Sequence, residues 1–400
     1  MNIERGFIKK KRDSLIILLG ILFISFNLRA PITAVGPIKS LIQAEYGLSQ
    51  AASGFITTLP LLAFAVVSPF VAKISGKLGQ ARTMMAGLLL ILAGEFVRSY
   101  TGSAGLFVGA GIIGVGIAIG NVIIPAIIKG NFSEKVGMVT SIYTSGMCIY
   151  AAVGAGISQP LASGMGLGWK HALASWFILT VITILIWLPQ LRRDTPKAAA
   201  AQVSGNKGSS VWSSGLAWGV TLFMGVQSLL FYSLVAWLPD IVVSKGLSAE
   251  FAGSMAMLFQ LMAIPATLLI PSLCDKFRDQ RILVFVTCII YASGMTLFLV
   301  GQTTLMVIAA VVLMAIGMGG SISLSIAFIS LRSPNRVRAS ELSGMSQSAG
   351  YLLAAVGPTL IGSISDATGS FTLPVLIFIG LIAVLALCGL SAGANRTISE

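Results

Sequence analysis

The chain has 400 residues, 56% hydrophobic and only 10% charged, with a net charge of +13 and a single histidine. Soluble domains carry roughly 25% charged residues, so this composition excludes a soluble globular protein. His171 alone and four cysteines without paired spacing support neither a metal centre nor a Ser-His-Asp triad, and the basic residues cluster briefly between apolar runs, a topology signal and not a nucleic-acid surface.

Twelve apolar segments follow in order, at about 15–38, 50–73, 83–100, 105–128, 138–162, 171–191, 217–239, 250–272, 282–300, 305–331, 340–364 and 372–391. Each is long enough for a bilayer-spanning helix. The first carries Asn27-Leu28-Arg29-Ala30-Pro31, which puts Arg29 roughly 21 Å of helix rise beyond Leu15. An arginine at that depth marks a pathway or binding site by default, and Pro31 frees backbone carbonyls one turn upstream. Its guanidinium offers a planar fork of donors to a small anion, a nitro group or a carboxylate. The basic Lys9-Lys10-Lys11-Arg12 precedes no small-residue cleavage site, so the segment reads as a retained helix.

The third segment carries Gly94-Glu95-Phe96-Val97-Arg98. Glu95 and Arg98, three residues apart, read as a helix-surface ion pair near the outer interface and as a candidate coupling pair. No acid falls near the middle of a segment, so the expectation is downhill anion movement or coupling through the substrate's own proton. Asn121 in segment 4, Gln227 and Tyr232 in segment 7, and Gln347 and Tyr351 in segment 11 are candidate cavity residues. Gln347 and Tyr351 share a helix face; Gln227 and Tyr232, five apart, do not stack on one. Lining a cavity and joining helices are both open to these neutral groups.

Residues 192–216, Arg192-Arg193-Asp194-Thr195-Pro196-Lys197 followed by an Ala/Ser/Gly run, read as a flexible cytoplasmic linker. They divide the chain into a bundle at 1–191 and a bundle at 217–400. Every Lys and Arg falls on the side of the termini except Arg29, Lys39, Arg98, Lys170 and Lys245, which places both termini in the cytoplasm. The halves echo each other: Gly47-Leu48-Ser49 recurs 199 residues later as Gly246-Leu247-Ser248, and Ala151-Ala152-Val153-Gly154 recurs 203 later as Ala354-Ala355-Val356-Gly357. Such repeats imply two bundles related by an axis along the membrane normal.

The stretch Asp275-Lys276-Phe277-Arg278-Asp279-Gln280-Arg281 resembles the cytoplasmic signature of the major facilitator superfamily; its N-terminal copy keeps Lys77 and Arg82 but has Gly76 where the family has Asp. Asn27-Leu28-Arg29-Ala30-Pro31, Gly94 to Arg98, Asn121 to Pro125, Gln227 to Pro239 and Ser343 to Tyr351 together resemble its cyanate and 2-nitroimidazole transporter branch. The resemblance implies an all-α membrane protein with twelve transmembrane helices in two pseudo-symmetric six-helix bundles. It also implies a secondary transporter of a small anionic or polar solute in the cytoplasmic membrane, working by alternating access as a monomer, without cofactor or enzyme activity. Substrate contacts would come from Arg29, Asn27, Asn121, Gln227, Tyr232, Gln347 and Tyr351, and gating from Lys77, Arg82, Asp275, Lys276 and Arg281. The alternative is a drug or toxic-compound efflux carrier, proton-coupled or not, although aromatics at 8% argue against the wide aromatic cavity such a carrier uses.

Overall fold

The computed structural model describes residues 2–132, 136–192, 210–334 and 336–398, so most of the expected linker lies outside the described residues. The regular structure among those residues is helical, and twelve helical spans among them are long and apolar enough to cross a membrane. In the first half the spans are built on α1 (Asn2–Asn27), α2 (Gln50–Leu78), α3 (Gln80–Tyr100), α4 (Gly102–Asn131), α5 (Val136–Gln159) and α6 (Trp176–Leu191), the last joined to the short helix Gly168–Ala174 in one span, Gly168–Leu191. The second half supplies α7 (Gly215–Val243), α8 (Ala249–Lys276), α9 (Arg281–Val300), α10 (Thr304–Leu331), α11 (Arg336–Thr368) and α12 (Thr372–Ala392). The first span continues past α1 through Ala30–Thr33, a 3-10 turn at Gly36–Ile38 and the helix Lys39–Tyr46.

The repeated Gly-Leu-Ser triplets are helix punctuation. Gly47 takes a left-handed conformation (φ 63°) that stops one helix, and the Ser49 hydroxyl accepts from the Ala52 amide to start α2. Gly246 (φ 81°) and Ser248, accepting from the Phe251 amide, do the same before α8.

Packing repeats between the halves. α1 lies on α5 and α6 as α7 lies on α11 and α12; α3 lies on α4 and α6 as α9 lies on α10 and α12. The halves meet where α2 packs on α11 and α5 on α8, and these two pairings are each other's counterpart. α7 is the most enclosed span, with 94% of its apolar window buried, so a polar side chain on it has few directions open.

The contacts between halves concentrate at the end opposite the termini, here the distal end, beside the turns at 47–49, 246–248 and 369–371. Thr58 donates to the Ala355 carbonyl at 2.7 Å and meets Thr359 at 2.9 Å across the seam, while within the second half Trp237 of α7 donates to the Pro358 carbonyl of α11 at 2.7 Å. The Asp366 carboxylate accepts from the Gln50 and Ala51 amides, capping α2 from the other half, both at 2.9 Å. Gly54 lets α2 approach this closely, because a Cβ there would overlap the Pro358 carbonyl. Gly54→Leu is therefore expected to leave each bundle folded while costing the distal contact about 1–3 kcal/mol of overpacking. Disulfide formation between cysteines placed at 58 and 359 reads that loss; an unchanged yield would remove Gly54 from the closing surface.

Candidate functional site

The site is organised by the interruption of the first span. α1 ends at Asn27, Leu28 and Arg29 form a turn, and helix resumes at Ala30. Pro31 has no N–H to continue the ladder, and Arg29 sits outside helical geometry at φ −125°, ψ −44°. The guanidinium of Arg98 in α3 donates to the Pro31 carbonyl at 2.5 Å. The break is thus pinned by a buried cation on a neighbouring helix.

Arg29 crosses to the other half. Its guanidinium lies 4.7 Å from the centre of the Phe231 ring and 5.5 Å from that of Tyr232, and Nη1 donates to the Tyr232 hydroxyl at 3.3 Å. Phe64 of α2 packs edge-on against Tyr351 (5.4 Å) and Tyr232 (6.4 Å), with Tyr232 and Tyr351 6.5 Å apart. Tyr351, Tyr143 and Cys148 also feel the Arg29 charge, and no carboxylate pairs with it among the described residues. Tyr143 donates to the Asn121 side-chain oxygen at 3.3 Å, placing Asn121 one shell out. Arg29, Gln347, Tyr351 and Asn121 all remain partly accessible. The lining is richer in aromatics than the overall composition suggests, because the tyrosines and phenylalanines converge from α2, α5, α7 and α11.

Three expected residues are placed differently. The buried Asn27 turns away into its own half: its amide donates to the Phe23 carbonyl (2.8 Å) and Thr183 (2.7 Å), and its oxygen accepts from Thr180 (2.7 Å). Gln227 is buried with its amide on neighbouring Ser228 at 2.8 Å, a little over one helical turn before the Arg29 contacts at Phe231 and Tyr232. Gln347 donates to Ser343 at 3.1 Å along its own helix. Of the seven candidates the structure gathers Arg29, Tyr232 and Tyr351. It adds Phe231, Phe64, Tyr143 and Cys148, which no local motif marks. One signal did exist: the 203-residue offset of the Ala-Ala-Val-Gly repeat also carries Arg29 onto Tyr232 and Cys148 onto Tyr351.

Glu95 and Arg98 correct the sequence reading outright. They do not form a surface ion pair near the interface: Glu95 is 0% exposed, Arg98 2%, and no ion pair joins them. Glu95 Oε2 meets the Thr180 hydroxyl at 2.9 Å, and its Oε1 has no partner. The chain therefore does embed a carboxylate. The cause is close helix packing, since Gly94 lies on Gly109 and Ile113 of α4 and turns Glu95 toward α6.

Lys39 is corrected too. It is not a residue of the outer face but is 1% exposed between the halves. Its ammonium lies 2.8 Å from the Asp240 carboxylate, donates to the Ala236 carbonyl at 2.7 Å and sits 3.0 Å above the Trp237 ring. In the signature loops, Lys77, Arg82 and Lys276 are exposed, Arg281 donates to the Leu390 carbonyl of its own half at 3.1 Å, and the side chain of Asp275 lies outside the described residues. A cavity of about 560 Å³ at the distal rim is lined by Gln50, Ser244, Lys245, Phe298, Asp366 and Phe371, and by none of the residues expected to bind substrate. Partial burial lowers the ammonium pKa of Lys245 there.

Residues 17–358 match the family model described as Major Facilitator Superfamily. The chain is 38% identical over 391 residues to the 2-nitroimidazole transporter of Escherichia coli (strain K12), covering 97% of this chain and 98% of that protein. It is 25% identical over 355 residues to the cyanate transport protein CynX of Escherichia coli (strain K12), with 88% and 91% covered. Its fold is similar to a crystal structure of a D-xylose-proton symporter, at a TM-score of 0.75 and 15% identity over 96% of this chain and 99% of that one.

Proposed function

We propose that this chain, which belongs to the Major Facilitator Superfamily, carries a small, planar, anionic or electron-rich solute that docks on Arg29. The family and these relatives are transporters, so the chain is a multi-pass membrane transporter and not an enzyme. The observation that carries the substrate reading is the Arg29 guanidinium, unpaired by any described carboxylate and bounded by the Phe231 and Tyr232 rings. A flat anion satisfies the donor fork while its faces meet Phe64, Tyr232 and Tyr351. The relatives' names, 2-nitroimidazole and cyanate, fit that chemistry.

Movement follows from the distal contacts, which close the side opposite the termini while leaving Arg29 partly accessible. With the termini cytoplasmic, as the basic residues favour, this conformation faces inward, and alternating access opens the α2–α11 and α5–α8 seams. Export of a nitroaromatic or drug-like compound is a second reading, favoured by the aromatic lining. Proteoliposomes offered labelled cyanate, 2-nitroimidazole, aromatic carboxylates and organic cations test both. Saturable flux of the planar anions is expected; transport of the cations in preference to all of them would overturn the anion reading.

A further inference from the structure

Counting hydrogens around Thr180 locates a proton. Asn27 uses both amide hydrogens, one on the Phe23 carbonyl and one on Thr183, whose own hydroxyl donates to the Leu179 carbonyl at 2.8 Å. Flipping that amide would set its oxygen against the Phe23 carbonyl, so the Asn27 oxygen faces Thr180. Thr180 has one hydroxyl hydrogen and two close acceptors, the Asn27 oxygen at 2.7 Å and Glu95 Oε2 at 2.9 Å. Giving the hydrogen to Glu95 would leave two bare oxygens 2.7 Å apart. The arrangement is satisfied when Thr180 donates to Asn27 and Glu95 donates to Thr180, which requires a neutral carboxylic acid.

A second observation agrees. Arg98, three residues along the same helix, spends Nη1 on the Pro31 carbonyl, while its Nε and Nη2 and Glu95 Oε1 are all buried without partners. A carboxylate this close in a lipid-embedded core would draw that guanidinium to itself. Arg98 is the one charged group acting on Glu95. Facing elements supply Thr180 from α6, Asn27 from α1, and Gly109 and Ile113 from α4 beside Gly94; His171, on the helix Gly168–Ala174, is exposed and packs on Tyr100.

We propose that Glu95 is the proton site of this carrier, holding a proton in the present conformation and releasing it to reset the two contacts that flank Arg29. On release the carboxyl O–H bond breaks, the proton passes to water and the carboxylate keeps the electron pair. That carboxylate takes the Thr180 hydrogen from Asn27 and takes Arg98 from Pro31. Asn27 and Pro31 stand on either side of Arg29, so both ends of its turn are freed together. One proton then travels with one anion, the coupling step resting on the anion reading above.

Infrared difference spectroscopy of the purified protein tests the proton without any substrate. The carbonyl stretch of a protonated carboxylic acid is expected at neutral pH, absent in Glu95→Gln and shifted in Thr180→Val, which removes its acceptor. Absence of that band from the wild type, or its persistence in Glu95→Gln, overturns the proposal. In proteoliposomes with labelled cyanate and 2-nitroimidazole as probes, an imposed pH gradient drives accumulation by the wild type, and Glu95→Gln loses it. Accumulation by Glu95→Gln equal to the wild type overturns the coupling role. No flux of either probe alongside an intact Glu95 band overturns the anion reading and leaves the proton site supported.

Discussion

Arg29→Ala is expected to weaken an anionic substrate roughly a hundredfold, about 3 kcal/mol, the order of one lost charge-assisted contact in a desolvated site. The figure follows from the surroundings. No described carboxylate competes for the guanidinium, so the substrate is its anionic partner, and Tyr232 supplies only a 3.3 Å neutral contact. Arg29→Lys keeps the charge and loses the planar fork and the stacking on Phe231, so it should recover part of the affinity and remain about tenfold weak. Saturation of uptake in proteoliposomes reads both variants. Thermal stability acts as the control, because the Arg29 head is partly accessible and its removal leaves no buried charge behind. Equal affinity for every anion in Arg29→Ala would remove the anchor role.

Lys39→Met should have the largest effect on stability. It leaves the Asp240 carboxylate, 15% exposed, without its cation, and breaking a buried pair from one side costs about 3–5 kcal/mol. Removing both charges avoids that penalty, so Lys39→Met with Asp240→Leu should recover most of the lost melting temperature. The pair also joins the two halves at the distal end, beside the Trp237 contact with Pro358. Disulfide yield between cysteines at 58 and 359, with the four native cysteines replaced, separates two roles. A fall in yield for the single variant means the pair holds the closed state. An unchanged yield with a lowered melting temperature confines it to packing within this conformation.

These two residues also mark how far the linear chain can be read. Arg29 was legible because position along an apolar segment sets depth, and depth alone makes a guanidinium costly. Lys39 was not, since the basic-residue count assigns a side of the membrane but not a helix face. The continuation of the first span past Pro31 carries Lys39 inward onto α7, where Asp240, Ala236 and Trp237 satisfy it. Glu95 follows the same logic. Hydropathy places it late in α3, near an interface, and spacing pairs it with Arg98. The glycine contact of α3 with α4 then decides the orientation, turning Glu95 onto Thr180 and Arg98 onto Pro31. Asn27, adjacent to the anchor in sequence, is lost to the site for a similar reason: α1 packs on α6, and Asn27, its last residue, bonds Thr180 and Thr183 there.

By itself the sequence determined the twelve spans, their two-half organisation, the interruption at Pro31 and the deep arginine. Each follows from local quantities, namely run length, proline chemistry, repeat offset and the cost of charge in hydrocarbon. Tertiary structure alone decided which polar groups face one another. It set Arg29 against the aromatic group of α2, α7 and α11, enclosed Lys39 with Asp240, and buried Glu95 beside a threonine with a single hydrogen to give. Those outcomes depend on how closely glycine-bearing helix faces approach, and that distance is a property of two segments at once.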